Sequence, residues 1–279
     1  MGAGVSSLEF LDAPVRQRAG LEQTAHRPWP LPDRSWTIGQ TWDDLLFLHW
    51  RVKADELRRL VPAQLELDEH DGSAWLGITP FLITGFRLRG TFAVPVVSTF
   101  PELNVRTYVT YEDKPGIWFF SLDTSSRLAV EAARLAFRLP YFHARTVHER
   151  RGGRVEFSNA RRDSARPFVF EIGYRDTAGD AFEPSSGSLE HFLTERYCLY
   201  AADDEGLFRA DIHHPPWRLR PAEASIDLNT MPPNGVTLAG EPLCHLAERQ
   251  DVVIWPLEKI PANEPQQTAR RPGRAGSSR

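Results

Sequence analysis

Asn104, Arg106 and Tyr108 alternate with Leu103, Val105, Thr107 and Val109 along one stretch of the chain. On a β-strand that alternation puts the three polar groups on one face and the apolar groups on the other. Such a face has two uses. It can meet water, or it can line the inside of a barrel or cone, where Arg106 would hold an anionic group through paired N–H donors. The residues alone do not choose between them.

Other signatures of chemistry are missing or have plainer readings. The chain has no G-x-G-x-x-G after a strand, no phosphate-binding G-x-x-x-x-G-K-[ST], no G-x-S-x-G elbow and no H-E-x-x-H. His143 and His148 lie five apart on an expected strand and so face opposite sides, and His213 and His214 diverge as neighbours. A metal site would need His49, His143 and a carboxylate to converge. Histidines hydrogen-bonded in or near a core are the simpler reading, so no metal and no other cofactor is expected. Asp123, at a strand end before a helix, reads as a helix cap or an arginine partner rather than a proton carrier.

Composition narrows the class. With 41% apolar residues the 279-residue chain can bury a full-sized core, and a net charge of −4 gives no electrostatic case for nucleic acid. Only Cys198 and Cys244 are present, in unrelated contexts that read as free, partly buried thiols. No basic segment followed by an apolar run opens the chain, and no apolar run approaches the ~18 residues of a membrane helix. A cytoplasmic protein without a membrane partner is the expectation.

The elements that must position these residues are mostly short. The 22 Pro and 19 Gly favour many strands and turns over long helices. Residues 1–34 read as a loosely held arm with a short turn near Leu8 to Leu11, residues 35–260 as the folded domain, and residues 261–279 as a disordered basic tail. Strands are expected at 45–52, 64–67, 74–88 (with a bulge or edge at Thr79-Pro80), 103–111, 117–122, 141–150, 154–161 and 168–174. Shorter ones follow near 198–201, 207–213, 243–248 and 252–255. Helices are expected at 54–60, from Ser125 or Ser126 to about Arg138, and at 189–195 behind Ser188. Leu128, Ala132, Leu135 and Ala136 should form the buried stripe of the second. Gly152-Gly153 signals a hairpin. The sum is an α+β fold dominated by antiparallel sheet.

The segment HWRVKADELRRLVPAQLELDE, from His49 to Glu69, resembles the segment with which acetoacetate decarboxylases begin their fold. The resemblance continues through LNVRTYVTYEDKPGIWFFSLD to LPYFHA and covers about residues 45–145. Over its whole length the chain is still more similar to the YqjF-like family of uncharacterised conserved proteins, the domain of unknown function DUF2071, through PELNVRTYV, FFSLD and PYFHA. The resemblance implies a mainly antiparallel barrel or cone of the acetoacetate decarboxylase-like type with two or three inserted helices. It does not imply the reaction. The decarboxylases use two adjacent lysines after the helix-ending Pro, one forming an imine with the ketone; here Tyr141 and Phe142 follow Pro140. The only lysines are Lys53, Lys114 and Lys259, all at expected surface positions. The resemblance also places Trp42 where the decarboxylases carry an arginine, and Glu102 near their substrate-facing glutamate.

Three functional readings follow. In the first, a pocket with Glu102, Asn104, Arg106, Tyr141 and His143, and with His49 nearby, binds a carboxylate or keto acid, Glu102 or His143 acting as acid or base without an imine. In the second, Trp50, Trp75, Trp118 and Phe142 line the pocket and a small molecule is held without turnover. In the third, Trp and Pro build an interaction surface or a homo-oligomer.

Overall fold

The computed structural model describes residues 7–93, 98–162 and 164–261. In chain order its elements are α1 (Ser7–Gly20), β1 (Ile38–Val52), α2 (Ala54–Arg58), β2 (Glu66–Leu67), β3 (Ala74–Leu88), β4 (Phe100–Tyr111) and β5 (Lys114–Thr124). Then come α3 (Arg127–Phe137), β6 (Tyr141–Arg151), β7 (Arg154–Arg161), β8 (Val169–Asp176) and α4 (Leu189–Thr194). The chain continues with β9 (Cys198–Asp203), β10 (Gly206–His213), β11 (Leu219–Asn229), β12 (Leu243–Ile254) and β13 (Glu258–Lys259).

Seven strands close a ring in the order β1–β3–β4–β5–β9–β10–β12. A second path, β6–β7–β8–β11, runs from β5 back to β12 outside that ring, so the two closed circuits share one wall. Pairing is antiparallel except where β5 meets β6 and β9. The shared wall is buried on both faces because one looks into each circuit. Its outer face offers Leu46, Leu48, Trp50, Leu76, Ile78, Leu103 and Val105 to Val155 and Phe157 of β7 and to Phe170, Ile172 and Tyr174 of β8. Each such side chain contributes about 1.5–3 kcal/mol when fully buried. The wall's inner face therefore looks into the smaller ring.

Local signals explain the inserted helices. Ser126 caps α3 by accepting from Ala129 N at 3.2 Å, and Ser188 caps α4 by accepting from His191 N at 3.2 Å. The Gly152-Gly153 turn joins β6 to β7, both glycines at positive φ. Thr79-Pro80 does not break β3. The β1–β3 ladder is instead interrupted between Asp43 and Leu48, so the missing Pro80 N–H falls at a bulge. Asp44, in that bulge, has φ +51.

Several expectations are corrected. Residues 243–254 form one strand rather than two, and β11 was not foreseen, its polar–apolar alternation being spread over a Pro-bearing segment. Residues before 35 are held more firmly than a loose arm. They include the 14-residue α1, and Arg27 is buried, donating to Ile212 O at 2.7 Å. The expected apolar stripe of α3 is not buried: Leu128 is 66% and Leu135 87% exposed. Val130 and Phe137 anchor the helix instead, because α3 lies over an opening rather than against a wall. The tail beyond 261 lies outside the described residues.

Candidate functional site

The inner face of β4 carries Phe100, Glu102, Asn104, Arg106 and Tyr108, all buried. The polar face read from the sequence therefore lines a hollow and does not meet water. The cavity it borders has a volume of about 380 Å³. Phe81 and Ile83 of β3, Phe119 and Leu122 of β5, and Trp42 of β1 make its walls. The mouth lies where Thr37, Leu88 and the exposed α3 residues Leu128, Ala132 and Ala136 meet. Arg106, Thr194, Arg196, His214 and Trp217 line the other, closed end.

Arg106 is 5% exposed, and its Nε has no hydrogen-bond partner. No carboxylate of the described residues pairs with it. Its guanidinium carbon stands 5.2 Å from the Phe47 ring and 5.9 Å from the Tyr108 ring. The side chain reaches that place over Gly77, its cross-strand neighbour on β3. A Cβ on Gly77 would meet Arg106 Cγ at 3.2 Å and His49 Cδ2 at 3.3 Å. Gly77→Ala is accordingly expected to displace Arg106 and weaken any anion bound there. Overpacking costs about 1–3 kcal/mol and the stiffer strand returns about 0.5–1, so urea unfolding should show a net loss near 1 kcal/mol. Equal stability together with unchanged anion binding would contradict this account of the glycine.

The second arginine differs. Arg196 Nη1 donates to Asp68 Oδ2 at 2.5 Å and its Nε to Phe192 O at 2.7 Å, so its charge is already matched. His49 sits behind Arg106 rather than on the cavity wall, with Nε2 2.7 Å from the Tyr108 hydroxyl and a partnerless Nδ1. Burial, reinforced by Arg106 and then His245, pushes its pKa well below the usual imidazole range and keeps the ring neutral.

At the mouth side, Tyr141 donates from its hydroxyl to Glu102 Oε2 at 3.0 Å. The parallel β5–β6 register, Leu122 opposite Tyr141, brings the two together. Burial raises the Glu102 carboxyl to about 8; the Tyr141 hydrogen bond opposes that rise and nearby Asp123 adds to it. Burial and the adjacent Glu102 likewise hold the Tyr141 phenol well above its ordinary value. At neutral pH both groups are protonated, so Glu102 can donate as well as accept. Asn104, between the two stations, accepts from the Thr79 hydroxyl through Oδ1.

Glu102, Asn104, Arg106 and Tyr141 thus come together. His143 does not line the cavity; it is half-buried at the β5–β6 junction, where its carbonyl accepts from Arg162 N. Trp50, Trp75, Trp118 and Phe142 do not line it either. Trp50 packs between the two sheet layers, Trp75 against Tyr108 and Leu193, and Phe142 under Arg161 at 3.8 Å. Asp123 takes Arg161 in a two-pronged pair, the partner role read for it from the sequence. The sequence reading missed Thr194, Arg196, His214 and Trp217, which reach the cavity only because the ring closes. No lysine lines it, so the imine chemistry of the decarboxylases has no amine here.

Residues 39–251 match DUF2071, a family of uncharacterised conserved proteins. The chain belongs to this family. It is 46% identical over 231 residues to the uncharacterised protein YqjF of Bacillus subtilis (strain 168), covering 82% of this chain and 95% of that one. Among solved structures it is similar in fold to acetoacetate decarboxylase from Legionella pneumophila subsp. pneumophila str. Philadelphia 1. There the TM-score is 0.56 at 9% identity, over 86% of this chain and 94% of that one. It is also similar to the enduracididine biosynthesis enzyme MppR complexed with pyruvate, with a TM-score of 0.55 at 12% identity over 84% and 93%. A third is an acetoacetate decarboxylase-like enzyme from Sphingomonas wittichii RW1, with a TM-score of 0.53 at 16% identity over 84% and 98%. The acetoacetate decarboxylase-like fold is therefore shown for this DUF2071 member, and identities this low carry no reaction with it.

Proposed function

We propose that this DUF2071 chain binds a small carboxylate with an apolar body inside its barrel, Arg106 taking the carboxylate. Any turnover there would run through proton transfer at Glu102 and not through an imine. The observation that carries this reading is the buried Arg106 guanidinium with no anionic partner, at the closed end of an apolar cavity. An uncompensated buried charge is costly, and a fold that keeps one in place is built for a counter-charge supplied from outside. The neighbour MppR, solved with pyruvate, lends the reading some support by analogy.

The charge predicts opposite effects on stability and on binding. Arg106→Met should leave the empty protein as stable as, or more stable than, the unmodified chain, because a lone buried charge is gone. The same change should weaken straight-chain carboxylates at least tenfold in isothermal titration, a charged hydrogen bond contributing about 1.5–3 kcal/mol. Neutral alcohols of equal length should bind both proteins alike. Carboxylates that bind the Met variant undiminished would refute the assignment of Arg106. Borohydride reduction in the presence of keto acids is expected to leave Lys53, Lys114 and Lys259 unmodified, as mass spectrometry would show; a reduced adduct on Lys114 would reinstate imine chemistry.

A further inference from the structure

The two polar stations of the cavity are far apart, and their separation measures the ligand. Glu102 and Arg106 are four residues apart on one face of β4. At about 3.3 Å per strand residue their backbone positions differ by about 13 Å. Their side chains lean to opposite sides of β4. Arg106 extends over Gly77 toward Phe47 on β1, and Glu102 is held by Tyr141 on β6. Asn104 is the polar side chain between them on β4, and Thr79 already engages its carbonyl. Phe81, Phe119 and Leu122 make up the intervening walls.

Taking Arg106 as the carboxylate anchor, the reading proposed above, we infer that the ligand is an elongated carboxylate carrying a second oxygen function far down its chain. The carboxylate enters first and reaches the closed end. The distal hydroxyl or carbonyl then meets Glu102 and Tyr141 under α3, while the methylenes between them lie against the apolar walls. An alkyl chain advances about 1.3 Å per carbon from bonds of about 1.5 Å, so the oxygen belongs roughly six to ten carbons from the carboxylate. A 3-oxo acid, with both oxygen functions at one end, reaches only one station. The inferred ligand therefore differs in length from the substrate in the name of the fold's best-known enzyme, even though the barrel is shared.

Glu102 and Tyr141 suit this task because neither is saturated. Tyr141 spends its one proton on Glu102 Oε2, leaving the phenol oxygen to accept and the other carboxyl oxygen of Glu102 for the ligand. An apolar tail alone would leave that carboxyl dry and unmatched, which the site penalises.

The test is isothermal titration of decanoate and of decanoates hydroxylated at carbon 3, 6, 8 or 10, against the unmodified chain, Tyr141→Phe and Glu102→Gln. With the unmodified chain, at least one hydroxyl at carbon 6, 8 or 10 should tighten binding tenfold or more over decanoate, and the 3-hydroxyl should not. Tyr141→Phe or Glu102→Gln should reduce that gain, taken within each variant as the ratio of hydroxydecanoate to decanoate affinity, to threefold or less. No gain at any position, the largest gain at carbon 3, or a gain that survives both substitutions would each overturn the inference and leave Arg106 untouched. If no decanoate binds the unmodified chain, the carboxylate reading fails and takes this one with it.

Discussion

Glu102→Gln will abolish a loss of stability that the unmodified chain suffers as pH rises from about 4.5 to about 8. Burial first, with Asp123 adding and the Tyr141 hydrogen bond opposing, raises the folded-state carboxyl from an ordinary value of 4.5 to about 8. Between those two values the folded protein keeps a proton that the unfolded chain has released. Stability therefore falls with pH across that window and levels off above it. At about 1.4 kcal/mol per pH unit the effect is of order 5 kcal/mol. Gln keeps the acceptor for Tyr141 and does not titrate. Asp44, raised to about 6 chiefly by burial, tilts the lower part of the window the same way, while His213, lowered to about 4, tilts it the opposite way. Both groups are common to the two proteins and cancel in the difference. Urea unfolding at intervals from pH 5 to 8.5 should give a Gln-minus-Glu stability difference that grows by several kcal/mol in favour of Gln. Two parallel curves would mean that Glu102 stays ionised in the fold, and the acid role proposed for it would go with them.

Some of this site was legible because its signal is local. The two-residue period of Asn104, Arg106 and Tyr108 needs only one strand, and Ser126, Ser188 and Gly152-Gly153 act within a turn of themselves. The two-fold ambiguity of that polar face was settled by something no single strand contains. The outer face of β1, β3 and β4 is covered by β7 and β8, which leaves the inner face to the cavity. Residues apolar on both faces, such as Leu45 to Leu48, carry no period that tells inside from outside. Aromatic type fails in the same way. Trp42 and Trp217 face the cavity while Trp50 and Trp75 do not, and nothing in the residue type distinguishes them. The apolar stripe of α3 was visible, but an opening lies beneath part of it, and a helical period cannot distinguish packed protein from a hole. Arg196 and His214 were out of reach altogether. They stand 90 or more residues beyond Arg106 and join it only when β9 and β10 close the ring.

Asp123→Ala is expected to be among the most destabilising single changes available in this chain, for a reason unconnected with ligand binding. Asp123 is fully buried and accepts from Arg161 Nη2 at 2.7 Å, from Arg161 Nε at 3.0 Å and from Asn159 Nδ2 at 3.1 Å. The Arg161 guanidinium is in turn packed between Phe142 at 3.8 Å and Phe168 at 4.1 Å. Asp123 is the penultimate residue of β5 and Arg161 ends β7, so the pair fastens the outer strands to the shared barrel wall. Removing the carboxylate strands a buried guanidinium between two rings, which costs about 3–5 kcal/mol. The loss should therefore come from Arg161 left alone more than from the missing attraction. Asp123→Ala with Arg161→Met should then recover most of the stability, since a matched apolar replacement of a buried ion pair is often neutral. Decanoate affinity, measured on the double variant, should be unaltered, because neither residue borders the cavity. A loss below 1 kcal/mol for Asp123→Ala would show that water or a shifted side chain satisfies Arg161. A double variant no more stable than the single one would show that the contribution of Asp123 to the fold is separate from Arg161. In the remaining case, where stability returns and affinity is kept, the position that follows the helix in the decarboxylases has been divided between two tasks: Tyr141 turns inward to Glu102, and Phe142 turns outward to hold the arginine that ties the two circuits of strands together.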